Sequence, residues 1–199
     1  MILKSVLALF LLSLFGFYTN KYQTKHYSNG FDFPIGALPT VTEKKDKDAW
    51  YNAQDFKINT HLGEDWNLNS GGNTDCGQPV YASSTGYVTY AQDAGPGWGN
   101  VVIIRHLLPN NTEVETLYGH LSEVKVKSGQ AVKRREPIGK VGDGAAPCGD
   151  SKPYYAHLHF EIRQPNCRHF GIPGGGYSPQ QDYTGWLDPS TFINRFRKL

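Results

Sequence analysis

Three short stretches concentrate residues able to hold a metal or move a proton: HLGED at 61–65, LYGHL at 117–121 and HLHFE at 157–161. In an extended strand, successive side chains point to opposite faces. His157, His159 and Glu161 then share one face, while Leu158, Phe160 and Ile162 look into a core. His61 and Asp65 stand four residues apart, with Gly63 between them to permit a tight bend. A nitrogen and a carboxylate oxygen can converge around such a bend, and zinc commonly takes three protein groups of this kind with one position left for water. Glu64 is a substitute for Asp65, but as its neighbour it is expected to point elsewhere. Leu117 and Leu121 are expected to face the core, with Tyr118 and His120 facing out. His26, His106 and His169 lack such partners and read as structural or surface residues. Taken singly, each stretch is equally an ordinary polar loop or strand face.

Taken together they are more specific. The order H-x-G-x-D, Y-G-H-L, H-L-H-F-E closely resembles the lysostaphin/LytM type of zinc metalloendopeptidase, a group of peptidoglycan hydrolases. The resemblance covers about residues 55–163 and the closing WLDP element, and includes the glycine-punctuated segments Gly129–Val132 and Gly139–Gly144. It implies that His61, Asp65 and His159 bind one Zn2+ per chain and that His120 and His157 act in catalysis. It also implies a substrate among the cross-links or stem peptides of bacterial peptidoglycan. All five positions are filled, whereas relatives that only bind or activate partners have lost some of them.

The implied chemistry agrees with the residue types. Zinc held by two neutral imidazoles and one carboxylate keeps a net positive charge, can lower the pKa of water from ~15.7 toward ~7 and polarises a scissile carbonyl. The H-E-x-x-H motif of helical zinc proteases is absent. An imidazole with an ordinary pKa near ~6.5 can replace its glutamate, and the resemblance implies that His120 and His157 share the base and oxyanion-donor duties. Trp98, in AGPGWGN, either lines the groove or anchors its loop on the sheet. Tyr51 is a candidate aid to the oxyanion. Residues 142–160 and 165–185 contain more loop than the resemblance calls for. Such loops would flank the groove, narrow it, or keep the enzyme latent until a partner moves them.

The elements that must position these groups read as an all-β domain, an antiparallel sandwich or barrel-like stack. PVYASSTGYVTYAQDA (79–94) reads as two strands broken at Gly86, VVIIRHLL (101–108) as a buried strand and EVETLYGHL (113–121) as its partner. Short glycine-punctuated strands lead to the histidine strand, and GWLDPSTFI (185–193) closes the domain. The 199 residues include 22 Gly, 12 Pro and 12 Tyr, which suits short strands and many turns better than a helical bundle. A formal charge of +2 gives no reason to expect a nucleic-acid partner. The basic stretch with Lys125, Lys127, Lys133, Arg134 and Arg135 is expected to be a solvated loop, or else a face for an anionic polymer or a membrane surface.

Lys4 precedes an uncharged, mainly apolar run from Ser5 to Tyr18, which reads as a signal peptide or an uncleaved signal anchor. Residues 1–19 are therefore expected to direct export, 20–49 to be a linker and 50–199 the peptidase domain. The chain is expected outside the cytoplasm as a monomer, with its N-terminal apolar segment as a possible membrane tether. Cys76, Cys148 and Cys167 allow one intramolecular bridge there. Cys148 and Cys167 bracket the histidine strand and are the favoured pair. Two other readings share the site or its surroundings: a non-catalytic wall-binding or amidase-activating module, and a zinc peptidase for another exported protein. A lipoyl or biotinyl carrier domain fits the glycine-punctuated hairpins but lacks an attachment lysine on a tight turn.

Overall fold

The computed structural model describes residues 26–37, 49–144, 148–149, 154–165, 167 and 174–198. The expected signal segment 1–19 and His169 lie outside the described residues. Among the described residues, no helix is long and apolar enough to cross a membrane.

Among the described residues, ten strands form one antiparallel sheet: β1 (Trp50–Gln54), β2 (Glu64–Leu68), β3 (Pro79–Tyr81), β4 (Gly86–Asp93), β5 (Asn100–Leu107), β6 (Glu113–Val124), β7 (Ala131–Val132), β8 (Pro137–Val141), β9 (Leu158–Arg163) and β10 (Trp186–Leu187). The main path runs β1-β2-β9-β6-β5-β4-β7. β6 pairs with β9 over Glu115–Gly119 and then with β8 over Leu121–Val124, which brings β3 and β8 onto the same curled sheet. Both faces of β6 and β9 are covered, so neither strand shows a water-facing side.

This double coverage reverses one expectation. Tyr118 is fully buried in the main core beside Phe160, while Leu117 lies in a smaller cluster with Val101 and Ile103 on the opposite face. Leu121 reaches the main core because β6 carries an extra residue opposite Val101, and His120 there adopts a left-handed φ of 60°. The bulge resets the alternation between Tyr118 and Leu121.

The chain closes with α1 (Pro189–Phe196), capped by the Asp188 carboxylate, which accepts from the Thr191 amide. Aspartate at the cap and proline at the first helical position favour this start, and Phe192 and Ile193 bury the helix against the core.

Residues 26–37, expected within the linker, are instead an integral strap. Phe31, Phe33 and Ile35 are buried, with Phe31 edge-on to Phe192 and Phe33 against Trp66. Their alternation is a period-two apolar pattern, the signal of a half-buried extended segment. Arg134 and Arg135 hold the strap rather than forming a solvated loop. Arg134 pairs with Asp32 at 2.6 Å and donates to the Asn29 carbonyl. Arg135 donates to the Phe33 and Gly36 carbonyls and stacks on Tyr81. Arg135→Ala is expected to cost about 2–3 kcal/mol, lowering the melting midpoint by roughly 5–10 °C. A midpoint equal to wild type in calorimetry would refute this role.

His106 is structural, as expected, and wholly buried. Its Nδ1 donates to the Thr85 carbonyl, and its Nε2 lies 2.7 Å from Thr116 Oγ1. Burial pushes its pKa down to about 4. The unfolded chain therefore takes up this proton first as pH falls, so the contribution to stability is complete above about pH 6.5 and is lost down through about 4. The stability advantage of wild type over His106→Gln is expected to shrink by roughly 3 kcal/mol between pH 7 and 4. Denaturant titrations at both pH values check this, and a constant difference would contradict it.

Candidate metal and catalytic site

The site forms where β2 pairs with β9. Asp65 lies directly opposite His159 in this register, and Glu64 opposite Phe160. Gly63 is glycine because the strands approach closely: a Cβ there would sit 2.4 Å from the Phe160 carbonyl oxygen. Its role is this contact rather than a left-handed bend, since its φ is not among the positive ones. The left-handed residues come earlier, at Lys57, Asn59 and Thr60, around the 3-10 turn Ile58–Thr60 that delivers His61.

His61 Nε2, Asp65 Oδ1 and His159 Nδ1 converge. His61 Nε2 lies 2.9 Å from His159 Nδ1 and 3.3 Å from Asp65 Oδ1, and His159 Nδ1 lies 3.0 Å from the same oxygen. His61 and His159 are buried, and Asp65 is partly open to the cavity. His159 Nε2 is 2.9 Å from the buried Glu161 carboxylate, an acceptor that puts the proton on Nε2 and leaves the Nδ1 lone pair facing the cluster. Two imidazole nitrogens and one carboxylate oxygen in this arrangement fit the donor set of a three-residue zinc centre. Burial alone would lower the His159 pKa, but its bonds to Asp65 and Glu161 raise it to about 9. Burial works against the Asp65 charge too, and the same histidines hold its carboxyl far below the usual range.

Glu64 points away from the cluster. It accepts from Trp66 Nε1 and from the Ser190 amide and hydroxyl at the start of α1, and burial pushes its pKa up to about 7.

His120 and His157 stand together beside the cluster, their rings 4.6 Å apart. His157 precedes β9 and is held by a single bridge to Gly142. Its Nδ1 donates to the Tyr155 carbonyl, which turns Nε2 toward Asp65, 3.7 Å away. Burial, with His157 and His159 nearby, pushes the His120 pKa well below its ordinary value. All five sequence-predicted residues therefore meet in one place. All but His61 line a cavity of about 530 Å3.

Trp98 fills both roles expected for it. It lines the cavity, stacks on His120 at 6.0 Å and meets His159 edge-on at 5.3 Å, while its carbonyl accepts from the His120 amide. Tyr51 is not among the described lining residues; Gln54, farther along β1, takes a place there. Sequence reading missed Tyr154 and Tyr177. Tyr154 donates to the Gly97 carbonyl at 2.8 Å, and Tyr177 packs 5.1 Å from the His61 ring. Both belong to the two loop-rich segments flanking β9, which is the only sequence signal for them.

The disulfide joins Cys76 to Cys148, not Cys148 to Cys167. Cys148 precedes β9 and Cys167 follows it, so a strand of ~20 Å separates them. Cys76 instead follows β2, whose neighbour is β9. Cys167 is a buried thiol packed with Leu62 and Trp186.

Residues 60–171, more than half the chain, match the family described as Peptidase family M23. The chain belongs to this peptidase family. Among M23-like relatives, a lipoprotein NlpD/LppB homolog of Pseudomonas aeruginosa is 42% identical over 88 residues, covering 44% of this chain and 26% of that protein. The peptidoglycan DD-endopeptidase ShyA of Vibrio cholerae is 36% identical over 115 residues, covering 56% of this chain and 24% of that protein. The chain thus spans about a quarter of the length of either relative. Lysostaphin from Staphylococcus simulans superposes with a TM-score of 0.48 at 24% identity, covering 76% of this chain and 50% of that one.

The close β2–β9 contact makes a direct prediction. Gly63→Ala is expected to destabilise the fold by about 3 kcal/mol, seen as a lower midpoint in urea. An unchanged midpoint would mean that the strands separate at no cost.

Proposed function

We propose that the chain is a zinc-dependent endopeptidase that cuts cross-links or stem peptides of bacterial peptidoglycan. The observation that carries this reading is the convergence of His61 Nε2, Asp65 Oδ1 and His159 Nδ1 beside a paired His120 and His157 in one cavity. One zinc per chain is held by His61, Asp65 and His159. When bound, it supplies Lewis acidity, polarising the scissile carbonyl and acidifying the attacking water.

The chain's own residues supply the rest. His157, its Nδ1 proton committed to the Tyr155 carbonyl, offers Nε2 toward the reacting centre as a proton acceptor. The proton that His157 takes up is passed on to the leaving amine, while His120, kept neutral by burial, serves as a hydrogen-bond donor to the developing oxyanion. Trp98 holds the His120 ring by stacking and forms part of the cavity wall. The peptidoglycan substrate is supported by the relative named as a peptidoglycan DD-endopeptidase. The protein works outside the cytoplasm. That agrees with its leader-like N-terminus and with the lipoprotein relative, and the apolar N-terminus serves as cleaved signal or membrane tether. It acts as a monomer, with residues 50–199 as the peptidase domain and the strap at 26–37 packed onto it.

Digestion of purified peptidoglycan sacculi, with products read by mass spectrometry, tests this. New peptide ends are expected that vanish with a chelator and return with zinc. His61→Ala is expected to lose both metal and turnover. His120→Ala is expected to keep stoichiometric zinc while turnover falls by about 100-fold or more. Unchanged turnover in His120→Ala would refute its role. No new ends from a zinc-loaded protein would move the substrate to another exported protein.

A further inference from the structure

Behind His159 lies a row of buried charges. Glu161, Arg163 and Glu115 are all fully buried, along one face of β9 and β6. Glu161 Oε2 accepts from Trp186 Nε1 at 3.0 Å, and Arg163 Nη1 stands 3.4 Å from the same oxygen. The second loop-rich segment folds back onto this row. Its Gly176 amide donates to Glu161 Oε1, and its Gly174 carbonyl accepts from Arg163 Nη1 at 2.9 Å. Gly174, Gly175 and Gly176 all take positive φ, at 62°, 103° and 79°. A Cβ on Gly175 would lie 2.3 Å from Glu161 Oε1, so only glycine lets the backbone lie flat on the carboxylate.

The same arm is hooked to the other histidine. Leu62 donates to the Gly176 carbonyl at 2.8 Å and Ser178 to the Thr60 carbonyl at 2.9 Å, so the arm bonds the residues on either side of His61. One short segment therefore touches the carboxylate that orients His159 and the backbone that presents His61.

We propose that the Gly174–Ser178 arm is a working part of the metal centre, and that its docking and zinc binding are coupled. The inference rests on the zinc reading of His61, Asp65 and His159. The docked arm completes the hydrogen bonds of Glu161, which directs the His159 proton to Nε2 and leaves Nδ1 for the metal. Glu161 is thus a positioning residue. Linkage is reciprocal: whatever the docked arm adds to zinc affinity, zinc adds to the docking of the arm.

The test uses the full-length protein, with zinc affinity from chelator competition, the visible spectrum of the Co2+ form, and amide hydrogen exchange with and without zinc. Gly175→Ala and Glu161→Gln are each expected to weaken zinc binding about 10- to 100-fold and to shift the cobalt bands, in protein that circular dichroism shows to be folded. Glu161→Gln, which keeps an acceptor, is expected to bind zinc more tightly than Glu161→Ala. Zinc is expected to slow exchange of the Gly176 and Ser178 amides in wild type. Should Gly175→Ala fail to fold, the exchange of the Gly176 and Ser178 amides in wild type decides the coupling, and equal rates with and without zinc would overturn it. Wild-type affinity and cobalt bands in the folded variants would overturn the role of the arm alone. A wild-type protein that binds no zinc would overturn the arm and the site together.

Discussion

The pairing of β2 with β9 is the constraint on which the site depends. Its register sets Asp65 opposite His159, and a slip of one residue would turn every side chain of one strand to the other face. Two features hold that register. Gly63 lets the backbones approach where any side chain would strike the Phe160 carbonyl. On the core face, Trp66 and Phe160 bury large apolar surfaces that a slipped strand would expose. A fully buried side chain of this size contributes about 2–3 kcal/mol, so hydrophobic burial on one face fixes polar geometry on the other.

The polar face then carries an electrostatic cost. Glu115, Glu161 and Arg163 are removed from water, and such charges are tolerated only with partners and hydrogen bonds. Arg105 reaches in from the rim to Glu115 at 2.9 Å, and Arg163 stands between the two glutamates. The second loop-rich segment supplies what the strands lack, an amide and a carbonyl at the positions where Glu161 and Arg163 need them. Covering this row explains why a chain would keep so much loop after β9, independently of any effect on substrate access.

Much of the site was legible because metal and proton chemistry use few residue types at fixed strand spacings. His157, His159 and Glu161 share a face as period-two alternation requires. The errors arose where one local rule met a second. Alternation places Tyr118 outside because it assumes one wet face, and β6 has none; Leu121 reaches the core through the bulge at His120 and not through alternation. The strap at 26–37 was hidden by its polar surroundings, although Phe31, Phe33 and Ile35 alternate. Arg134 and Arg135 read as solvated charges because their partners in the strap, the Asp32 carboxylate and several backbone carbonyls, lie 99 to 105 residues away in sequence. Bracketing β9 is a poor guide to the disulfide, since cysteines before and after one strand lie at its opposite ends, and the partner of Cys148 is Cys76.

The two walls of the cavity are built by different physics, and the difference bears on how it works. On the β9 N-terminal side, Cys148 is tied to Cys76, the Gly149 amide donates to Asp143, and the Ala156 amide donates to Asn73. These ties carry Tyr154 to its bond with Gly97 beside Trp98. On the opposite side the Gly174–Gly176 arm has no disulfide among the described residues, only hydrogen bonds to Glu161, to Arg163 and to the backbone beside His61. A covalently braced wall keeps its shape whether or not the centre is loaded, which preorganises the groove at little entropic cost on binding. A wall held through Glu161 and the flanks of His61 keeps its shape to the degree that those histidines are held.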